Sequence, residues 1–479
     1  MTGILGVLVA LGLLIYFSYR GLSVLLLAPL MALVAVVLGG APLLASYTQI
    51  FMPAMGAFII QFFPLFLLGA LFGKLMDDTG SARALAEWIV ERLGEANTIP
   101  AIVLACAVLT YGGVSLFVVA FAVYPIAAAM FERANLPRAL IPASIALGAF
   151  TFTMTALPGT PAIQNAIPMP YFGTTAFAAP GIGIIAGAIM LGLGLLWIMR
   201  RASSWMLVAA PASLNGPTRS SKELRELAQG EGFDVSSIAG DQLANLPPVW
   251  LAALPIALVI VLNFGFAIIV LPHFETSYLA EPRYGATTFG AVRGVWAILM
   301  ALTIAIVVMA ALNRRRLRNL KETLDDGANA ATGPAFNTAS LVGFGAVIAS
   351  LPAFDIIRDG VLGLAPGNPL ISLAVAVNIL AGITGSASGG MSIALQTLGA
   401  TYLELGKAAG ISPELLHRVT AIATGGLDAL PHNGAVITLL SVCKITHREA
   451  YKDIFVVACA IPIVALIAIL ILASVTGSF

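Results

Sequence analysis

The chain has 479 residues, of which 59% are hydrophobic and only 10% charged, with a mean hydropathy of +0.98 and a net charge of +1. A soluble domain carries roughly 25% charged residues, so this chain lacks the charge to face water over its whole surface. Disordered proteins, nucleic-acid binders and secreted disulfide scaffolds are excluded by the same figures. The three cysteines, Cys106, Cys443 and Cys459, lie far apart in apolar runs and form neither a disulfide frame nor a CxxC site. The composition is that of an all-α polytopic membrane protein.

A membrane span needs about 20 apolar residues. The chain opens Met-Thr-Gly-Ile-Leu-Gly with no basic residue before the apolar stretch, so a cleavable signal is not expected. Spans are expected at 2–18, 22–39 and 51–73, followed by an amphipathic interfacial helix at 81–95 with Leu85, Trp88, Ile89 and Leu93 on one face. Residues 98–133 suffice for about one and a half spans and carry a Gly/Ser cluster in the middle, which suggests a re-entrant hairpin. Residues 137–170 are too long for one span and are interrupted by Pro and Gly, as a broken helix would be, and 177–199 is a further span. These make a first repeat, 1–201. Residues 202–246, rich in Ser, Gly, Pro and mixed charge, read as a cytoplasmic linker. The remainder, 247–479, follows the same order: spans 247–271, 289–312 and 335–357, hairpin 367–409, broken helix 413–446 and span 453–475. The total is about ten spans and two hairpins.

Two sequence matches support a repeat. Gly-Gly-x-Ser occurs at 112–115 and 389–392, and Ala-Leu-Pro at 156–158 and 429–431, at offsets of 277 and 273 residues. Charge then gives the orientation. With the N-terminus outside and hairpins entering from opposite faces, 19 of the 24 basic residues fall inside, and only Arg283, Arg293, Arg358, Lys407 and Arg418 fall outside. This bias is the one the positive-inside rule requires, and it inverts the second repeat relative to the first. The chain is therefore expected to be a multi-pass protein of the cell inner membrane with both termini outside, in the periplasm.

In hydrocarbon, non-helical backbone survives only inside protein or beside a water-filled cavity. Two hairpin tips and two helix breaks in inverted halves therefore point to one central site. At the first tip the candidate binding residues are Tyr111, Gly112, Gly113 and Ser115, and at the second Ser386, Ser388, Gly389 and Ser392. Each second limb starts at its tip, so a helix N-terminus that attracts anions points inward. The same small residues also serve close helix packing. In the first break Thr155, Gly159, Thr160, Gln164 and Asn165 are candidates, although they would equally satisfy freed backbone groups. The second break holds Asp428, the one carboxylate far from both ends of a predicted span, with His432 and Asn433 nearby. Asp428 and His432 are candidates for carrying a coupling proton; capping by Asp428 and a satisfied core imidazole are the plain alternatives. No Lys or Arg lies deep in any predicted span, so a small monocarboxylate held by N–H groups and hydroxyls is expected. Four scattered histidines and no paired cysteines indicate no metal site, and no cofactor is expected.

These residues resemble a family. Tyr111-Gly-Gly-Val-Ser-Leu-Phe, Pro125, Ala134-Asn-Leu-Pro137 and Ala156-Leu-Pro-Gly-Thr-Pro-Ala162 are similar to the gluconate permease family of proton symporters. Gly385-Ser-Ala-Ser and Leu430-Pro-His-Asn-Gly-Ala-Val-Ile-Thr-Leu439 resemble its second-half hairpin and broken helix, and the segment from Asp428 to Phe455 resembles its D-β-hydroxybutyrate permeases. Sugar-acid members carry a Pro-Pro-His-Pro-Gly-Pro-Thr type run where this chain has Leu157-Pro-Gly-Thr-Pro-Ala162, so the first-half histidine is absent. The resemblance implies the ion-transporter superfamily: a homodimer whose scaffold, near 2–39 and 247–312, carries a mobile transport domain by an elevator motion. The expected function is proton-coupled import of a small hydroxy-monocarboxylate such as 3-hydroxybutyrate. Gluconate or another sugar acid, and sodium as the coupling ion, are the near alternatives, and a channel is the alternative from another class. An enzyme is not expected, because no paired nucleophile and base or HExxH site is present. The expected partners are the carboxylate, the proton, the lipid bilayer and a second copy, with no nucleic acid.

Overall fold

A computed structural model describes residues 2–20, 22–206, 246–317, 319–365, 367–431 and 433–476. The expected linker therefore lies almost wholly outside the described residues, and His432 lies outside them too. All regular structure among the described residues is helical.

In the first half α1 (Thr2–Tyr19) and α2 (Val24–Gly39) pair, and α3 (Leu43–Asp78) runs through a π-type turn at Tyr47–Phe51. Helix α4 (Ser81–Leu93) turns by 107° into α5 (Thr98–Tyr111). Its partner in the hairpin is α6 (Leu116–Arg133). The helical stretch α7 (Arg138–Thr155) is followed by an unwound segment, then short α8 (Ile163–Ala166) and α9 (Pro168–Phe172), and the half closes on α10 (Pro180–Met206). The second half repeats this order. Helices α11 (Val249–Phe264) and α12 (Phe289–Leu312) pair, and α13 (Leu320–Ser350) turns by 98° into α14 (Ala353–Leu362). The second hairpin is α15 (Pro369–Thr384) with α16 (Ala387–Ala408). The second broken helix is α17 (Pro413–Thr424) and α18 (Gly434–Val442), followed by α19 (His447–Thr476).

The packing partners exchange as a twofold axis demands. Helix α3 packs along its counterpart α13, and α10 along α19. Helix α2 packs on α13 while α12 packs on α3; α4 meets α11 while α14 meets α1; α6 meets α18 while α16 meets α8 and α9. Two repeats, each with spans, a hairpin and a broken helix, thus interlock around the α3–α13 pair.

Six of the described helices are long and apolar enough to cross a membrane, or eight if each bent pair is one span. The ten expected spans include α1 and α2, which are apolar but shorter, and the second broken helix, whose two pieces have 12 and 9 residues. The 335–357 window divides at Ser350, and Asp355, Arg358 and Asp359 sit on α14, the counterpart of α4. There Arg358 pairs with both acids, at 2.8 and 3.0 Å. On α4, Leu85 and Ile89 are buried but Trp88 is 46% exposed, so only part of the expected apolar face meets protein.

Lipid tails are as apolar as Leu, so close contact between small residues does much of the work of holding such helices together. Hairpin α15–α16 shows it: a Cβ on Gly390 would lie 2.2 Å from the Ala381 nitrogen, so the two backbones touch. At one end of the α3–α13 pair, Lys74 bonds Asp78 at 3.0 Å and Asp326 at 3.7 Å, and Thr323 donates to Asp78 at 2.6 Å.

Candidate functional site

Both hairpin tips, both helix breaks and the middle of α3 and α13 border one cavity of about 270 Å³. Among the described residues lining it, Asp428 is the sole ionisable group, and no Lys or Arg is present. Four lining residues carry a buried oxygen with no hydrogen-bond partner: Thr110 Oγ1, Ser115 Oγ, Gln164 Oε1 and Asp428 Oδ1. Buried polar atoms in native proteins are nearly always paired. Four orphans around one space mark where a polar ligand or water would sit.

The first tip is shaped by Gly113, whose φ of +94° lies in the left-handed region. A Cβ there would also lie 2.7 Å from Pro161 Cγ, so the tip presses on the first break. Gly112 is a packing position against Ile256 of α11, and the Tyr111 hydroxyl donates to the Pro158 carbonyl at 2.6 Å. Ser115 holds the position just before α6 but makes no capping bond. At the second tip Ser386 does cap its helix, accepting from Gly389 N at 3.2 Å. Ser388 lies 3.4 Å from both Ser386 Oγ and Thr338 Oγ1. Gly389 packs on Leu341, and Ser392 is fully buried with an unpartnered hydroxyl but does not line the cavity. The two tips are therefore chemically unequal.

In the first break, Pro158 and Pro161 bracket Gly159 and Thr160, and only Gln164 of the five candidates borders the cavity. Gly159, at φ +86°, donates to Ala176 O at 2.8 Å and accepts from Asn263 Nδ2 of α11 at 3.2 Å. Thr155 donates to Thr151 O at 3.1 Å, and Thr160 Oγ1 accepts from Ala162 N at 3.3 Å. Asn165 is fully spent: its amide donates to Thr160 O and Ala176 O, and its oxygen accepts from His417 and Arg418. In the second break, Asn433 caps α18 by accepting from Ala435 N at 2.7 Å and Val436 N at 3.2 Å. Its amide donates to Gly385 O at 2.7 Å and to Asp428 O, knotting the second hairpin tip to the broken helix.

Arg418, which the charge count places outside, is enclosed by protein rather than set on the surface. It has no solvent exposure and donates to Ala178 O at 2.8 and 3.0 Å, to Ala176 O at 3.2 Å and to Asn165 Oδ1 at 3.1 Å. His417 beside it is also fully buried, with Thr174 Oγ1 at 2.6 Å and Asn165 Oδ1 at 3.1 Å. All of α17 from Leu415 to Thr424 is buried, so there is no polar face for the guanidinium to reach and the carbonyls of 176–178 take it instead. Four of its five N–H donors are engaged. It does not line the cavity, and no Lys or Arg is among the described residues that do. Thr110, not among the expected contacts, heads the same Thr-Tyr-Gly-Gly-Val-Ser cluster that defines the first tip. Asp453, away from the cavity, is an almost fully buried acid, held by Trp197 at 3.0 Å and Arg201 at 3.3 Å.

The fold has solved counterparts. The YdaH transporter of Alcanivorax borkumensis, whose crystal structure shows an unusual topology, is 16% identical, with 88% of this chain and 86% of that one covered at a TM-score of 0.53. MtrF of Neisseria gonorrhoeae, one of a class of antimetabolite efflux pumps, is 13% identical, with 89% and 83% covered at a TM-score of 0.54. At such identities these likenesses show the fold alone. No family model matches the chain. The uncharacterized transporter YxjC of Bacillus subtilis (strain 168) is 42% identical over 489 residues, covering 98% of each chain. With that identity sustained over almost its whole length, the chain belongs to the same family of multi-pass membrane transporters as YxjC.

Proposed function

We propose that the chain is a secondary symporter that imports a small hydroxy-monocarboxylate, of the 3-hydroxybutyrate kind, together with protons. The observation that carries this reading is a cavity where both tips and both breaks meet, with four unpartnered buried oxygens and no Lys or Arg among the described residues that line it. Its volume of about 270 Å³ falls just below the ~300–1,000 Å³ of drug-sized sites, which suits a small acid. Hydroxyls and helix-terminal N–H groups can hold one carboxylate there, while a second negative charge would lack a partner. Gln164 Oε1 is an acceptor suited to a substrate hydroxyl. The gluconate permease likeness of the tips and breaks points to the same substrate class.

Coupling follows from electrostatics. A bound carboxylate and an ionised Asp428 in one cavity repel, so substrate and proton each favour the binding of the other. Asp428 and His432, four residues on in the sequence, are the groups we assign to carrying the proton. The reading extends to an elevator motion, in which helices near 2–39 and 247–312 are the scaffold and homodimer contact.

Purified protein in proteoliposomes tests this. Uptake of labelled 3-hydroxybutyrate driven by an inward proton gradient is expected, unchanged when sodium is replaced by choline at fixed pH. Absence of gradient-dependent uptake would refute substrate and coupling together. Loss of uptake in choline would transfer the coupling to sodium, and unitary currents without uphill accumulation would make the protein a channel.

A further inference from the structure

The twofold relation makes the N-termini of α6 and α16 formal equivalents, both at the edge of the cavity. Their chemistry differs. At α16 the capping position is filled from within: Ser386 accepts from Gly389 N, its hydroxyl contacts Ser388, and Ser388 also contacts Thr338. The neighbouring Gly385 carbonyl already takes the amide of Asn433. At α6, an 18-residue helix, no side chain caps the first turn. The first N–H groups of a helix have no partner within it and attract negative charge. Around this terminus stand the orphaned hydroxyl of Ser115 and that of Thr110, whose side chain is only 3% exposed. Gln164 brings a third orphaned oxygen from the break that packs against Gly113, but that atom accepts and is suited to a different group.

We propose that the substrate carboxylate docks at the N-terminus of α6 alone, held by its uncapped N–H groups with the hydroxyls of Ser115 and Thr110, and that the self-capped α16 holds no anion. This rests on the carboxylate reading above and adds a polarity to it. The carboxylate lies on the first-half side, and the rest of the substrate points toward Gln164, Asp428 and the second tip. A dicarboxylate then gains nothing from its second charge, because the symmetry-related anchor is closed.

Binding to purified full-length protein in detergent tests the assignment without requiring transport. Thermal stabilisation is titrated with acetate, 3-hydroxybutyrate and succinate at constant ionic strength. Wild-type protein is expected to be stabilised by all three, with succinate no tighter than acetate. Ser115→Ala and Thr110→Val each raise the acetate midpoint by about tenfold, the loss of one hydrogen bond to a charged group. Ser386→Ala lowers the starting melting temperature, because a cap is lost, but keeps the acetate midpoint. A midpoint shift in Ser386→Ala equal to that in Ser115→Ala, an unshifted Ser115→Ala, or no stabilisation by any of the three would overturn the proposal. Uptake of 3-hydroxybutyrate together with an unshifted Ser115→Ala would sink this assignment and leave the transport reading standing. Acetate binding that Ser115→Ala weakens, with no uptake, would do the reverse.

Discussion

Asn433 joins two jobs that single substitutions can separate. Its oxygen caps α18, and its amide ties the second hairpin tip to the broken helix through Gly385 O and Asp428 O. Serine keeps a capping oxygen but has no amide to reach the two carbonyls; alanine loses both functions. A cap is worth about 1 kcal/mol. A buried acceptor left without its donor costs about 1–3 kcal/mol, and the low end applies because both carbonyls belong to residues lining a cavity that can admit water. Asn433→Ser is thus expected to cost about 2 kcal/mol locally and Asn433→Ala about 3 kcal/mol. Hydrogen exchange of backbone amides reports such local opening directly. In peptides spanning 384–390 and 433–438, Asn433→Ser should speed exchange on the order of 30-fold and Asn433→Ala on the order of 150-fold. Exchange within twofold of wild type in Asn433→Ser would show that the two carbonyl contacts do not hold the tip, and would remove the knot from this account of the site.

Three further outcomes are expected. Arg418→Met leaves the buried Ala178 carbonyl without its two guanidinium donors and removes one donor each from Ala176 O and Asn165 Oδ1, which keep others, so it should lower stability by about 3 kcal/mol; heating in detergent at a fixed scan rate, followed by the fraction remaining monodisperse, measures it, and a wild-type profile would refute the role. Asp428→Asn should abolish uphill accumulation in a proton gradient while sparing exchange of labelled for unlabelled substrate, and normal accumulation would exclude Asp428 from coupling. Gly390→Ala places a carbon 2.2 Å from the Ala381 nitrogen and should prevent the α15–α16 hairpin from closing, read as loss of folded protein on size-exclusion chromatography; a folded, active Gly390→Ala would show that the hairpin can splay at little cost.

Much of the architecture is legible in local signals. Long apolar runs, Pro and Gly at 158–161 and 425–434, and the matched Gly-Gly-x-Ser and Ala-Leu-Pro motifs locate spans, breaks and repeat, because helix formation and its interruption depend on residues a few positions apart. The sharp turn at 351–352 has a local mark in Pro352, which keeps Leu351 in extended geometry, but hydropathy alone does not register it. The apolar run continues through it into Ala353, Phe354, Ile356 and Ile357, and only the packing of α14 against α1 settles its direction. The candidate site divides along the same line. The residues Gly113, Ser115, Gln164, Ser386, Ser388, Asp428 and Asn433 all border the cavity, because tips and breaks are where polar backbone must find a protected space. Thr155, Thr160 and Asn165 are of the same residue types in the same segment, yet they are committed to holding the unwound chain.

What the amino-acid sequence determines by itself is the membrane class, the repeat, the four interruptions and the residues near them. Hydropathy, charge bias and helix-breaking residues are properties of short stretches of chain. What only the tertiary structure decides is which polar groups are already satisfied. Arg418 looks like an edge charge until the carbonyls of Ala176 and Ala178, some 240 residues away in the chain, are seen to surround it. Ser115 and Ser386 look alike at matching tips until one is found unpartnered and the other capping its own helix. Hydrogen-bond partners are chosen by distance in space, and the availability of a group for a ligand depends on partners that local sequence does not name.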